Sequence, residues 1–69
     1  MPMMRVNVNG QTREVPDDLT VAGLIELLKL HPHRLAVERN RRLVRRAEFA
    51  ETPLAADDAI EIVTLVGGG

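Results

Sequence analysis

The last ten residues of the 69-residue chain, 60–69, constrain its fold more than any other stretch. They begin with a run of Ile, Val, Thr and Leu, and branched β-carbons of this kind favour strands. The run passes directly into Gly67, Gly68 and Gly69, which have no side chains to pack and lose the most freedom when ordered. The pattern predicts a rigid strand that leads into a flexible glycine tail, and it makes the end of the chain the predicted functional part.

Composition narrows the class of protein. With 45% hydrophobic and 28% charged residues, the sequence is typical of one soluble globular domain, and such a small domain buries only about 60% of its unfolded surface. No apolar run approaches the ~18 residues of a membrane span, and no export leader is recognisable. The absence of cysteine excludes thiol chemistry and disulfides. We therefore expect a cytoplasmic protein with no membrane partner, and the net charge of −1 gives no reason to expect nucleic acid.

Hydrophobic periodicity and turn residues predict the order β-β-α-β-β-β. Asn9-Gly10 is a strong hairpin turn signal, and Thr20 is a helix N-cap candidate. The predicted elements are strands at Met3–Val8 and Gln11–Val15, a helix at Val21–Lys29, and strands at Leu35–Glu38, Arg42–Val44 and Ile60–Val66. Pro32 is expected to stop the helix.

One face of the predicted helix is expected to be buried in the core. The helical stripe consists of Val21, Leu24, Ile25 and Leu28, with Leu27 widening it. Leu30 is expected in the following connection, folded back over the core. Residues 45–51 are expected to be irregular or a single helical turn, with Phe49 as a core plug and Leu54 as a buried anchor.

This element order predicts an α+β fold in which one mixed sheet wraps around one helix. The long apolar last strand is best buried in the middle of the sheet, parallel to the first strand. That arrangement is the ubiquitin-like β-grasp. We expect residues 1–66 to form the β-grasp domain and residues 67–69 its tail.

Several segments together resemble the thiamine-biosynthesis sulfur carrier (ThiS) family over nearly the whole chain. They are the Asn-Gly turn, the helix start Thr20-Val21, the segment Val37-Glu38-Arg39-Asn40 and above all residues 58–69, which end in glycines. Two positions depart from the family pattern. Arg41 stands where the family often has glycine, and Ala59 replaces part of a common Gly-Asp turn, so both departures concern local turn geometry.

The resemblance implies a protein co-substrate that is not itself an enzyme. An E1-like adenylyltransferase, using ATP and magnesium, would convert the Gly69 carboxylate to an acyl-adenylate. A persulfide from a cysteine desulfurase or rhodanese-type donor would then displace AMP, and the thiocarboxylate would deliver sulfur to a thiazole synthase. Gly68 and Gly69 would pass a narrow channel because they lack side chains, and Gly67 would add reach. No cofactor is expected to bind the chain itself.

Alternation along the last strand predicts which side chains meet a partner. Ile60 and Ile62 fall on one face, and Glu61, Val63 and Leu65 fall on the other. Val63, Leu65 and Val66 are predicted to form an apolar partner-binding patch beside the tail. The alternative is a strand covered on both faces.

Other features carry less specific interpretations. The basic cluster Arg39–Arg46 fits either an acidic partner surface or a solvated turn. His31 and His33 are too few for zinc, which normally takes at least three protein ligands, so no metal site is predicted. Two alternatives to the thiamine carrier stay open: a carrier similar to the small subunit of molybdopterin synthase, and a non-conjugating ubiquitin-like interaction module that does not need Gly69.

Overall fold

The computed structural model describes residues 2–65, and the chain within it opens with the predicted hairpin. Strand β1, Met3–Val8, pairs in antiparallel fashion with β2, Gln11–Pro16. Asn9 and Gly10 connect the strands with φ values of 51° and 85°. Positive φ at both central residues defines a type I′ turn, whose twist matches that of the flanking strands. The hairpin and its turn are confirmed.

Helix α1 runs from Val21 to Leu27, and its start is the predicted one. The Thr20 hydroxyl caps it by accepting a hydrogen bond of 3.1 Å from the Gly23 N–H. None of the helices described within residues 2–65 is long and apolar enough to cross a membrane.

The predicted end of the helix at Lys29 is wrong by two residues. Lys29 adopts φ 59°. Its N–H bonds to the Glu26 carbonyl at 3.0 Å, and the Leu30 N–H bonds to the Ile25 carbonyl at 3.0 Å. These two bonds form a Schellman motif, which satisfies the last helical carbonyls and ends the helix before Pro32 can act. The motif also turns Leu30 back onto the core, as expected.

The core lies between α1 and one face of the sheet. Its buried hydrophobic residues are Val6, Val8, Val15, Val21, Leu24, Ile25, Leu35, Val37, Val44, Phe49, Leu54, Ile60 and Ile62. Phe49 and Leu54 fill their predicted positions. The prediction for Leu27 is wrong: it is 48% exposed, while Leu28 packs against the core. Leu28 is in register with Val21 and Leu24 on the buried stripe, and Leu27 lies a residue to one side of it.

The second half of the chain contributes three strands and two short 3-10 helices. Strand β3 is Leu35–Arg39, β4 is Arg42–Val44 and β5 is Ala59–Thr64, with 3-10 helices at Pro32–Arg34 and Arg46–Glu51. The second 3-10 helix carries Phe49 into the core, which agrees with the helical turn expected for residues 45–51.

The five strands form one mixed sheet in the order β2-β1-β5-β3-β4. The last strand therefore occupies the centre, parallel to β1 and antiparallel to β3. This topology, with α1 packed across one face, is the predicted α+β, ubiquitin-like β-grasp fold. Strand β5 ends at Thr64. The predicted extension to Val66 and the glycine tail at 67–69 lie outside the described residues.

The turn between β3 and β4 holds a strained arginine. Asn40 and Arg41 have φ values of 53° and 70°, so this turn is also of type I′, but without glycine at its second position. A left-handed conformation is unfavourable by roughly 1–2 kcal/mol for a residue with a β-carbon.

We expect Arg41→Gly to raise the free energy of unfolding by about 1 kcal/mol, because glycine adopts this φ without strain. Urea denaturation would measure the gain. Arg41→Ala is the control, since it removes the guanidinium but keeps the β-carbon and should leave stability nearly unchanged. An equal gain in both variants would assign the effect to charge, and no gain in the glycine variant would contradict the strain.

Candidate functional site

Strand β5 presents opposite environments on its two faces, as predicted. Ile60 and Ile62 are buried, with exposed fractions of 1% and 8%. Val63 and Leu65 are 59% and 58% exposed. Because side chains alternate along a strand, both point to the outer face of the sheet, away from α1. The alternative of a strand covered on both faces is excluded for the described residues.

Apolar side chains on the outer face continue onto neighbouring strands, with Ala36 half-buried and Leu43 exposed. Ala36 lies directly opposite Val63 in the β3–β5 register, and Leu43 on β4 is 68% exposed on the same face. We call Ala36, Leu43, Val63 and Leu65 the outer-face patch. The Leu65 N–H donates to the Arg34 carbonyl at 2.7 Å, so the chain is still held to the sheet at the last described residue.

The first hairpin turn fixes the middle of β5 through one side chain. The Asn9 Oδ1 accepts a hydrogen bond of 2.8 Å from the Ile62 N–H, and Asn9 Nδ2 donates to the Ile62 carbonyl at 3.1 Å. The side-chain amide thus replaces a backbone peptide at a point where β1 has already ended. The left-handed φ of Asn9 that shapes the turn also allows this contact.

The second hairpin turn fixes the beginning of β5 in a similar way. The Asn40 N–H donates to the Ala59 carbonyl at 2.7 Å, and Asn40 Oδ1 accepts from the Ala59 N–H at 2.9 Å. Asn40 Nδ2 also donates to Asp58 Oδ1 at 2.9 Å. The two turn asparagines therefore hold β5 from both sides.

Asp58 is the buried polar centre of this anchor, with an exposed fraction of 5%. Its Oδ2 accepts from Arg39 Nε and from the Ala55 N–H, each at 2.7 Å. Burial by itself would raise the pKa of Asp58. The hydrogen bonds from Asn40, Ala55 and Arg39, together with the Arg39 charge, outweigh it and hold that pKa below the ordinary value of 3.8. The carboxylate is therefore ionised, and it fixes the turn before β5.

Sequence reasoning missed the structural roles of Asn9, Asn40 and Asp58. The Asn-Gly pair indicated a turn, but no sequence signal showed that the Asn9 side chain reaches a strand 53 residues away. Asp58 follows Asp57, and such an acidic pair is typical of an ordinary turn. Its partners Arg39 and Asn40 are recognisable only once β3 and β5 are known to be neighbours.

The structure divides the basic cluster Arg39–Arg46. Arg39 forms an internal ion pair with Asp58, and Arg41 shapes a turn. Arg42, Arg45 and Arg46 are exposed. A role for these exposed arginines in partner binding stays a prediction.

The remaining predicted site residues lie beyond the described part of the chain. They are Val66, Gly67, Gly68 and Gly69. What the described residues establish is the base from which this segment continues: a central strand anchored at Ala59 and Ile62, with an exposed apolar patch beside its end.

Comparison with known proteins agrees with this architecture. Residues 6–69 match the model of the ThiS family. The crystal structure of the thiamine biosynthesis protein ThiS from Geobacter metallireducens superposes with a TM-score of 0.82 at 32% identity, covering 96% of this chain and 100% of that one. The sulfur carrier protein ThiS of Bacillus subtilis is 32% identical over 93% of this chain and 98% of its own length.

A thiazole synthase from Magnetococcus marinus is also similar, with 36% identity over 96% of this chain. This chain spans only 20% of the length of that relative. The likeness therefore concerns one segment of a longer protein.

The fold and these matches define a small protein of the β-grasp class. The chain belongs to the ThiS family, the sulfur carriers of thiamine biosynthesis.

Proposed function

We propose that this protein carries sulfur as a thiocarboxylate on Gly69, for transfer to thiazole formation. The observation that supports this most directly is the family match, which extends through residue 69 and so includes Gly68 and Gly69. The outer-face patch supplies a surface on which the enzymes that act on the tail would dock.

The chemistry follows from the properties of a carboxylate. A C-terminal carboxyl has a pKa of about 3.3–3.7, so at neutral pH Gly69 is an anion that resists nucleophiles. In the proposed reaction it attacks the α-phosphate of ATP and releases pyrophosphate, with magnesium held by the adenylyltransferase. A donor persulfide then attacks the acyl carbon and AMP leaves. A thiol cleaves the resulting S–S bond and leaves the thiocarboxylate.

Glycine at the end of the chain suits this sequence of steps. An acyl-adenylate must be shielded from water, which requires a closed active site. Residues without a β-carbon allow the enzyme's walls to approach the backbone closely. The anchoring of β5 by Asn9 and Asn40 favours the reaction as well, because it reduces the number of orientations from which the tail approaches the nucleotide.

A thiazole synthase is the proposed acceptor of the sulfur. Two relatives named thiazole synthase, from Magnetococcus marinus and Paramagnetospirillum magneticum, each match 96% of this chain with 20% of their own length. In these relatives a segment similar to this chain is part of a polypeptide named thiazole synthase. This supports the proposal that the present chain acts together with a thiazole synthase. The cytoplasmic location and the identity of the sulfur donor stay predictions.

The decisive experiment follows the mass of the protein. Incubation with the adenylyltransferase, ATP, magnesium and a persulfide donor should add 16 Da, the difference between sulfur and oxygen, to the C-terminal peptide. Removing Gly69 withdraws the carboxyl by up to ~3.6 Å, and a misplacement of about 1 Å is enough to reduce a rate ~100-fold. The variant lacking Gly69 should therefore remain unmodified.

Adding one alanine after Gly69 should also prevent the reaction, because it pushes the carboxyl past the nucleotide. Both variants should match the wild type in thermal unfolding, since the buried core of the described residues ends at Ile62. Full thiocarboxylate formation on the variant lacking Gly69 would contradict the proposal and favour an interaction module. Sulfur transfer from the wild type to a molybdopterin precursor, but not to thiazole, would assign the carrier to the other pathway.

A further inference from the structure

The edge of β5 that faces β1 is open at Thr64. Strand β1 pairs with this edge as far as Ile60, and the Asn9 side chain extends the pairing to Ile62. Beyond that point the hairpin turn carries the chain away. Residues 2–65 provide no further strand on this side.

The hydrogen-bonding pattern shows which way the Thr64 backbone points. The Leu65 N–H bonds to the Arg34 carbonyl, so these two residues form a hydrogen-bonded pair between β5 and β3. Hydrogen-bonded and non-hydrogen-bonded pairs alternate in an antiparallel ladder. The preceding pair, Leu35 with Thr64, is therefore non-hydrogen-bonded. The Thr64 N–H and C=O consequently face away from β3, toward the open edge.

A groove of about 370 Å³ lies beside this edge. Leu28, Leu30 and Ile62 give it an apolar floor, and Gln11 and Arg13 of β2 line its side. Within residues 2–65 the only ion pair joins Arg39 and Asp58, and no acidic residue lines the groove. Arg13 therefore gives the groove a positive charge. The groove thus offers a strand's backbone donor and acceptor, a short apolar floor and one cation.

We propose that this edge takes an extended peptide segment of the adenylyltransferase, which adds as a strand beside β5 and places an acidic side chain near Arg13. An extended segment is favoured because an open strand edge bonds a partner's main chain, while alternate side chains enter the adjacent groove. The positive charge of Arg13 selects an acidic side chain at that position. The partner is assigned on the basis of the proposed function, since the chain beyond Thr64 leads to the residue that is adenylated. Strand addition there would hold the tail extended.

The test removes the Thr64 N–H, which is the backbone donor at the open edge, without disturbing the pairing of β5 with β3. Proline has no N–H, and it is tolerated in a strand where that N–H faces outward. Thr64→Pro should therefore keep its unfolding midpoint within about 3 °C of the wild type. Its affinity for the adenylyltransferase, measured by calorimetry without ATP so that no adenylation occurs, should fall about tenfold, as for the loss of one hydrogen bond. Thr64→Val retains the N–H and the branched shape, and should bind within about twofold.

A second pair of variants tests the charge. Arg13→Gln should weaken binding about twofold to fivefold, the range expected for losing one exposed charged contact at the edge of an interface. Arg5→Gln removes the same charge from the neighbouring strand, but Arg5 lies beside the segment that precedes β5, at the opposite end of that strand from both the groove and the outer-face patch. This variant should bind as the wild type does. Equal losses in both variants would indicate general attraction and contradict the specific contact.

Hydrogen exchange gives a direct readout of strand pairing. The Thr64 amide should exchange rapidly in the isolated protein and become at least about tenfold slower in the complex. The Val63 amide already bonds within the sheet and should change little. If Thr64→Pro binds and is converted to thiocarboxylate like the wild type, strand addition is wrong while the proposed function stands. If the wild type neither binds nor is converted, the proposed function fails and this inference fails with it.

Discussion

Asp58→Asn is expected to lower the free energy of unfolding by about 2–4 kcal/mol, because it breaks a nearly buried charged network. Both carboxylate oxygens accept hydrogen bonds: Oδ2 from Arg39 and the Ala55 N–H, and Oδ1 from Asn40. An asparagine side chain has one oxygen and one NH₂ group. Either orientation therefore turns a donor toward a donor, in addition to removing the charge that pairs with Arg39. Urea denaturation would measure the loss.

The same network predicts how stability depends on pH. The pKa of Asp58 is lowered in the folded protein relative to 3.8, so its contribution is fully present above the unfolded value. It is lost as the pH falls from about 3.8 through the folded pKa. Asp58→Asn should lack this part of the acid-induced loss of stability. The gap between the variant and the wild type should then narrow at low pH.

Asp57→Asn provides the matched control. Asp57 is exposed and has φ 68°, a conformation that asparagine tolerates well. The substitution removes the same charge one residue earlier and should leave stability unchanged or slightly higher. A comparable loss in both variants would show that the net charge of this turn, and not the buried network, stabilises the protein.

Most of the fold could be predicted because its determinants are local. The Asn9-Gly10 turn depends on two adjacent residues that tolerate positive φ, and the start of α1 depends on the Thr20 hydroxyl. The central position of β5 followed from its apolar character. Its alternation also assigned Ile62 to the core and Val63 to the surface.

The errors arose where the chain uses residues against their usual preferences. Lys29 adopts the left-handed conformation that glycine normally adopts just after a helix. Because no glycine is present there, the sequence does not indicate where α1 ends. Periodicity assigned Leu28 to the buried stripe correctly, but it does not fix the width of that stripe, so the prediction for Leu27 at its margin was wrong.

The anchors of β5 could not be predicted for a different reason. Asn9 and Ile62 are 53 residues apart, and Arg39 and Asp58 are 19 apart. Their contacts exist only after the sheet has assembled in its correct register. They matter for the proposed function because the segment that leads to Gly69 continues from this strand.

The adjacent residues Ile62 and Val63 give the sharpest separation between folding and partner binding. Ile62 is 8% exposed and Val63 is 59% exposed, on opposite faces of one strand. We expect Ile62→Ala to lower the free energy of unfolding by about 2–5 kcal/mol, because it leaves a cavity in the core. Val63→Asp should change stability by less than about 0.5 kcal/mol, as is usual for an exposed position. Urea denaturation of both variants tests this difference.

Binding to the adenylyltransferase should show the reverse order. Val63→Asp places a charge in the centre of the outer-face patch, and desolvating it in a complex should weaken binding by about 2–3 kcal/mol, roughly 30-fold to 150-fold. Ile60→Ala, a core substitution that touches neither the outer-face patch nor the groove beside Thr64, should bind within a few-fold at a temperature where it remains folded. Val63→Thr is the control, because it keeps the size and branching of the side chain without a charge. If Val63→Asp unfolds the domain, that face belongs to the core; if it folds and binds as the wild type does, the enzyme docks elsewhere and the outer-face patch has another partner.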